Sequence, residues 1–190
     1  LDALTDVLAD TPLIGLDTEF VRVSTFHPKP GLIQIAVDGD AYLIDPLANL
    51  DLNALGQVLK GSTTTVLHAA QEDYEVLFRL TGSVPSPVFD TQVAYALLNE
   101  KISLSLSALV RELLGKELSK EETRSDWTKR PLSDSQRLYA KEDVLVLDSI
   151  YEILYGQLEK AGRLDWMSEE MRSIHDRNTT ILVNGDIETQ

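Results

Sequence analysis

The stretch PLIGLDTEF (12–20) decides how the rest of this chain is read. Its apolar run is rich enough for a buried strand, yet it ends on two acids, Asp17 and Glu19. Side chains two apart in a strand leave the same face. In a strand this apolar that face is expected to be covered. Two like charges there raise each other's pKa unless a cation stands between them. Taken alone, an Asp-x-Glu pair is also how an ordinary solvated strand ends, so the pair acquires meaning only from what surrounds it.

Working outward, a helix is expected over about 2–9, before the strand. After it, GLIQIAV (31–37) and AYLIDP (41–46) read as two strands joined through Asp38-Gly39-Asp40, whose glycine suits a hairpin turn. LDLNALGQVLK (50–60) has helical spacing, and TTTVLHAA (63–70) reads as a further strand. A helix over about 70–81 is stopped by Gly82, with Pro85 and Pro87 beyond it. VFDT (88–91) is a short strand running into the helix QVAYALLNE (92–100), and SLSALVRELLG (105–115) is a helix ended by Gly115. Ser133 and Gln136 form a capping box at the start of a long helix over about 134–160. There is no repeat and no low-complexity linker, so the chain reads as one continuous α/β domain with helices on both faces of a sheet.

Two more acids sit where apolar residues belong. Asp73 has Val76, Leu77 and Leu80 at i+3, i+4 and i+7, on the buried stripe of its helix. Asp143 is the only charge on the face Tyr139, Asp143, Leu147, Ile150, Leu154. Each alone fits a stripe edge or a carboxylate held by arginine. Together with Asp17 and Glu19, four core-facing carboxylates from three elements converge where the first strand ends. Such a cluster repels itself unless hard divalent cations, which prefer carboxylate oxygen, neutralise it. Two ions about 3.5–4 Å apart clamp an in-line phosphoryl displacement. Tyr139, one turn before Asp143, stands beside the same cluster.

Composition narrows the class. The 190 residues include 31 acidic and 17 basic ones, a formal charge of −14. There is no cysteine, which excludes disulfide scaffolds, zinc-thiolate sites, thiol nucleophiles and iron–sulfur clusters, and suits a reducing compartment. His27, His68 and His175 are too scattered for a histidine-rich metal centre. No apolar run nears the roughly 18 residues of a membrane span, so a soluble, cytoplasmic protein is expected. The missing initiating methionine points to an excised domain or a trimmed start. The acidity argues against nucleic acid only if the carboxylates are free, because bound cations reverse the local field.

With these residues in place, the chain resembles the DEDD superfamily of 3′–5′ exonucleases, in its tyrosine-containing branch. LDTEF (16–20), HAAQED (68–73) and YAKED (139–143) look like its three motifs, the last being Tyr-x3-Asp. LIQIA (32–36), FDTQVA (89–94), LSALVRELLGKEL (106–118) and RSDWTKRPLSDSQRLYAKEDV (124–144) narrow the resemblance to the ribonuclease D family, over about residues 10–170. The resemblance implies an RNase H-like exonuclease fold with a five-stranded mixed sheet flanked by helices. It also implies stepwise hydrolysis of RNA 3′ ends to nucleoside 5′-monophosphates by a monomer, with tRNA precursors as typical single-stranded partners and no membrane. Asp17, Glu19, Asp73 and Asp143 would carry two Mg2+ or Mn2+ ions, and Tyr139 would orient the attacking water.

The exonuclease domain is expected over 1–170 and a C-terminal tail over 171–190, without the helical HRDC domains that bacterial members carry. Lys141 and Glu142 stand where small residues are common in the third motif. Position 142 points about 100° away from Asp143, so solvent exposure is expected there. Thr18, Phe20 and His68 are candidates for touching the terminal nucleotide, Phe20 by stacking on a base, with core packing an equal reading of Phe20 and a packed or hydrogen-bonded histidine at the strand end the better reading of His68. Trp127 is also aromatic, but core packing is the better reading. Arg124, Lys129, Arg130 and Arg137, with Arg22 and Lys29 after the first motif, form a candidate phosphate rim. Asp90 reads as a helix cap or a support for the site. Two rival functions stay open: a DNA 3′–5′ exonuclease of the same fold, since carboxylates do not report the sugar, and a non-catalytic RNA-binding module. Cleavage of labelled RNA and DNA with and without metal separates all three.

Overall fold

A computed structural model describes residues 1–22, 27–99, 103–119 and 121–188. The elements run α1 (Asp2–Ala9), β1 (Leu13–Val21), β2 (Lys29–Val37), β3 (Asp40–Ile44), α2 (Asn53–Leu59), β4 (Thr64–Leu67), α3 (Gln71–Thr81), β5 (Val88–Asp90), α4 (Thr91–Leu98), α5 (Leu106–Leu114), α6 (Asp134–Leu145), α7 (Leu147–Lys160) and α8 (Leu164–Glu188). The five strands form one mixed sheet in the order β3-β2-β1-β4-β5. β1, β2 and β3 are antiparallel neighbours, while β1, β4 and β5 are parallel.

The β2–β3 hairpin turns on Asp38 and Gly39, at φ 52° and 83°. Positive φ at both loop residues is the turn whose twist matches the flanking strands. β1 then sorts its side chains by period two. Ile14 and Leu16 enter the core formed with Leu8, Leu55, Leu59, Tyr74 and Leu77 from α1, α2 and α3. Gly15, Asp17 and Glu19 take the opposite face, which α6 and α7 cover. Around Ile14 and Leu16 the first face is largely apolar. The second carries Asp17 and Glu19, with Asp143 closing on them.

The expected helix over 134–160 is two helices. α6 ends at Leu145, α7 begins at Leu147, and Val146 between them keeps right-handed helical angles. No proline or glycine causes the break, so its cause is tertiary. α6 lies over β2 and β3, and α7 turns onto β1, β4 and α4. At the junction the Val144 carbonyl presses on Gly15, where a Cβ would come within 3.0 Å of it. The capping box of Ser133 and Gln136 forms as expected.

Position 170 is not a boundary. α8 runs through it unbroken for 25 residues, and Met171 and Asn178 are buried. Gln71 Nε2 donates to Asn178 Oδ1 at 2.9 Å, tying α8 to the start of α3. The stretch 171–188 is therefore a docked helix rather than a tail. α8 packs against α3, α4, α7 and β5. Glu142 also differs from expectation: it is half-buried, while Lys141 is exposed.

Candidate active site

Three elements deliver the acids. The end of β1 supplies Asp17 and Glu19, the first turn of α3 supplies Asp73, and the last turn of α6 supplies Asp143. Among the described residues, one carboxylate oxygen from each of Asp17, Glu19 and Asp143 lies within 4.8 Å of the other two. Asp73 stands outside this triple. Its Oδ1 accepts the Thr18 hydroxyl at 2.5 Å, from the opposite face of β1. Thr18 is buried, so its side chain holds Asp73 where a nucleotide contact had been expected.

The chemistry of the triple is that of a site short of positive charge. Burial lifts the Asp17 carboxyl well above the usual carboxylate range, and the charges of Asp73 and Asp143 lift it further. Burial, then Asp17, Asp143 and Asp73, push Glu19 up to about 9. Burial raises Asp73 to about 7 against the pull of the Thr18 hydroxyl. Burial raises Asp143 to about 6, with the Tyr139 hydrogen bond pulling it back and Glu142 adding to the rise. Among the described residues, no lysine or arginine contributes to these shifts. Four hard oxygen donors that resist ionising together are a donor set suited to divalent cations.

Tyr139 is half-buried one helical turn before Asp143 and donates its hydroxyl to that carboxylate. Burial first, then the charge of Asp143, raise its pKa above the ordinary phenol value, so it stays a protonated donor at neutral pH. Its ring lies 6.0 Å from that of Trp127, which is buried as expected. Trp127 in turn sits on Gly31, where a Cβ would come within 2.6 Å of the Trp127 Cβ. That glycine lies where the β1–β2 register shifts between Glu19 and Phe20. The bulge interrupts regular pairing beside the acids, and pairing resumes at Phe20 and Val21. Phe20 is half-buried beside it.

Asp90 builds the loop under Asp73. Its carboxylate caps α4 through Gln92 and Val93 and also accepts the backbone N–H groups of Ala69 (3.0 Å) and Ala70 (2.9 Å). Ala69 has φ 57°, a left-handed conformation disfavoured for alanine, and the chain turns there from β4 into α3. Asp90 thus holds the turn that fixes where Asp73 stands. The cap is readable in FDTQ; the reach to Ala69 and Ala70, twenty residues back, is not.

The other expected contacts divide. Both His68 nitrogens are used internally, Nδ1 with the Thr91 hydroxyl (2.8 Å) and Nε2 with the Leu104 carbonyl (2.9 Å). Burial lowers its pKa, so it is a neutral brace between β4 and the start of α5, not a nucleotide contact. Arg130 is likewise no rim cation. It grips Asp45 with two bonds of 2.6 Å and spends its other donors on the carbonyls of Gly31, Trp127 and Lys129. All five guanidinium hydrogens are thereby occupied. Arg137 pairs with Asp134 and the Leu132 carbonyl, and Arg22 with Glu72 and Glu75. Arg124 and Lys129 are exposed, Lys129 with Asp126 4.0 Å away.

A family profile described as 3′-5′ exonuclease matches residues 1–159. The chain belongs to this 3′-5′ exonuclease family. Among curated members, ribonuclease D of Pseudomonas paraeruginosa is 45% identical over 160 residues, covering 84% of this chain and 42% of that one. The crystal structure of Escherichia coli RNase D, described as an exoribonuclease involved in structured RNA processing, superposes with a TM-score of 0.89. It is 38% identical over 93% of this chain and 47% of its own. Brucella melitensis NrnC, solved with bound Mg2+, is 28% identical with a TM-score of 0.80, over 92% of this chain and 87% of its own. The chain spans less than half the length of the curated relatives it matches. The fold is that of these exonucleases. Among the described residues, no helix is long and apolar enough to cross a membrane.

Proposed function

We propose that this exonuclease is a metal-dependent 3′–5′ exoribonuclease that shortens RNA 3′ ends to nucleoside 5′-monophosphates, tRNA precursors among them. It acts on single-stranded ends, as a monomer, in the cytoplasm. The observation that carries the reading is the triple of Asp17, Glu19 and Asp143 oxygens within 4.8 Å, with Asp73 beside it. These four residues are the ligands for two ions, Mg2+ or Mn2+. Bound there, such ions supply the positive charge that an in-line displacement at phosphorus needs on both its attacking and leaving oxygens.

The chain's own groups do the rest. Asp17 and Glu19 hold their side of the site from the rigid centre of the sheet, and Asp143 closes it from α6. Thr18 fixes the orientation of Asp73. The Tyr139 hydroxyl, still protonated at neutral pH, positions the attacking water by hydrogen bonding and need not remove its proton. Phe20, half-buried next to Glu19, is the side chain for a base to stack on, while Arg124 and Lys129 offer cations to the backbone phosphates.

The test uses 5′-labelled single-stranded RNA and DNA and a circular RNA, each with Mg2+, Mn2+ or EDTA, resolved by length. The expected result is a ladder of 3′-shortened RNA that needs the metal. Cutting of the circle at a comparable rate, or full activity in EDTA, would refute the reading. A DNA ladder faster than the RNA ladder would move the substrate to DNA.

A further inference from the structure

Gln34 lies in the middle of β2, fully buried, and neither its amide nitrogen nor its amide oxygen has a hydrogen-bond partner among the described residues. A buried amide left without partners bears its full desolvation cost. Methionine would fill the same space without that cost, so the amide calls for a second reason. Its place in the sheet supplies one.

The β1–β2 register sets Gln34 directly opposite Asp17, and its neighbour Leu32 opposite Glu19. Directly paired residues of antiparallel strands project from the same face, with Cβ atoms about 4.5–5.5 Å apart. Gln34 therefore shares the covered layer with the carboxylates, beneath α6. The donors already on those acids are unevenly shared. Asp73 has the Thr18 hydroxyl and Asp143 has the Tyr139 hydroxyl, whereas Asp17 draws on the backbone N–H of Thr18. Asp17 and Glu19 are the two acids without a side-chain donor, and an unused donor sits directly across the strand pair from Asp17.

We propose that Gln34 is a positioning residue for the cation site, its Nε2–H donating to the Asp17 carboxylate once that group ligates a divalent ion and so fixing which oxygen faces the ion. This rests on the metal-site reading above. Ligating carboxylates are themselves held by such outer hydrogen bonds, and losing one weakens metal affinity about 10–100-fold.

The experiment is calorimetric titration of Mn2+ into the wild type, Gln34→Met and Asp17→Asn, with thermal melts of each in EDTA. For Gln34→Met the Mn2+ Kd should rise on the order of 10-fold, while the melting temperature in EDTA stays level or rises. An unchanged Kd overturns the proposal, and an unchanged Kd with a lower melting temperature makes Gln34 a purely structural residue. Should the variant fail to fold, wild-type protein labelled with 15N answers instead. Its Gln34 side-chain amide pair should shift and become protected from exchange when Mg2+ is added, and should do neither in Asp17→Asn. An amide pair that ignores Mg2+ overturns the proposal. A wild type that takes up no Mn2+, or takes it up equally as Asp17→Asn, overturns the metal site itself, a separate failure from that of Gln34.

Discussion

Replacing Asp143 by asparagine should make the metal-free fold more stable at neutral pH, the opposite of what loss of a structural aspartate does. The side chain is 8% exposed, and burial lifts its carboxyl from 3.8 to about 6. In the unfolded chain the group ionises near its ordinary value, so between those two pH values the unfolded state has released a proton that the folded state still holds. Stability falls as pH rises wherever the folded state binds more protons. The contribution is thus fully present below about pH 4, is lost as pH rises towards about 6, and is flat above that. A difference of about two between the pKa values corresponds to about 3 kcal/mol. Asparagine never ionises and keeps an acceptor for Tyr139, so it escapes this loss. For a chain of this size about 3 kcal/mol is a rise of about 6–12 °C in melting temperature. The assay is a set of thermal melts of both proteins in EDTA from pH 4 to pH 8, repeated with Mn2+. The curves should meet near pH 4 and separate by pH 7, and Mn2+ should stabilise the wild type far more than the variant. Parallel curves across that range, with an undiminished Mn2+ gain in Asp143→Asn, would show that Asp143 is neither a carboxylate held up by burial nor a cation ligand.

Tyr139→Phe should slow single-turnover hydrolysis at saturating Mn2+ by about 10²-fold, the scale of a positioned proton-handling group; a wild-type rate removes its orienting role. Asp90→Ala strips the cap from α4 and the acceptor from Ala69 and Ala70. Urea titration should show a loss of about 2–4 kcal/mol, and a loss below 1 kcal/mol would mean the turn holds without it. Arg130→Ala should cost about 2–3 kcal/mol of stability while leaving the salt dependence of RNA binding as it was. Arg124→Ala should do the reverse, lowering the slope of log affinity against log salt by about 1. Identical salt slopes for Arg124→Ala and wild type would remove Arg124 from the rim.

What the sequence determined by itself is whatever periodicity and local chemistry encode. The apolar run 12–20 ending in two acids, the Asp38-Gly39 turn, the glycine stops at 82 and 115, and the Ser133–Gln136 box each lie within a few residues. Each forms as read. The four acids and Tyr139 were legible for a related reason: a carboxylate on an apolar stripe conflicts with its surroundings, and the conflict is visible without coordinates. Only the tertiary structure decided which acids close on one another, because that depends on where α6 crosses β1. It drew Asp17, Glu19 and Asp143 into one triple and turned Asp73 towards Thr18. It also decided the fate of the polar residues that sequence left free. Arg130 meets Asp45 across 85 positions of chain, and His68 meets Leu104 across 36. The bend at Val146 and the course of α8 past residue 170 belong to the same class. A helix period says which face is buried but not which neighbour buries it, and a side chain's charge does not say whether its partner will be water, phosphate or a distant carboxylate. Long-range packing makes that choice, since a buried polar group takes whichever partner the fold brings within about 3 Å.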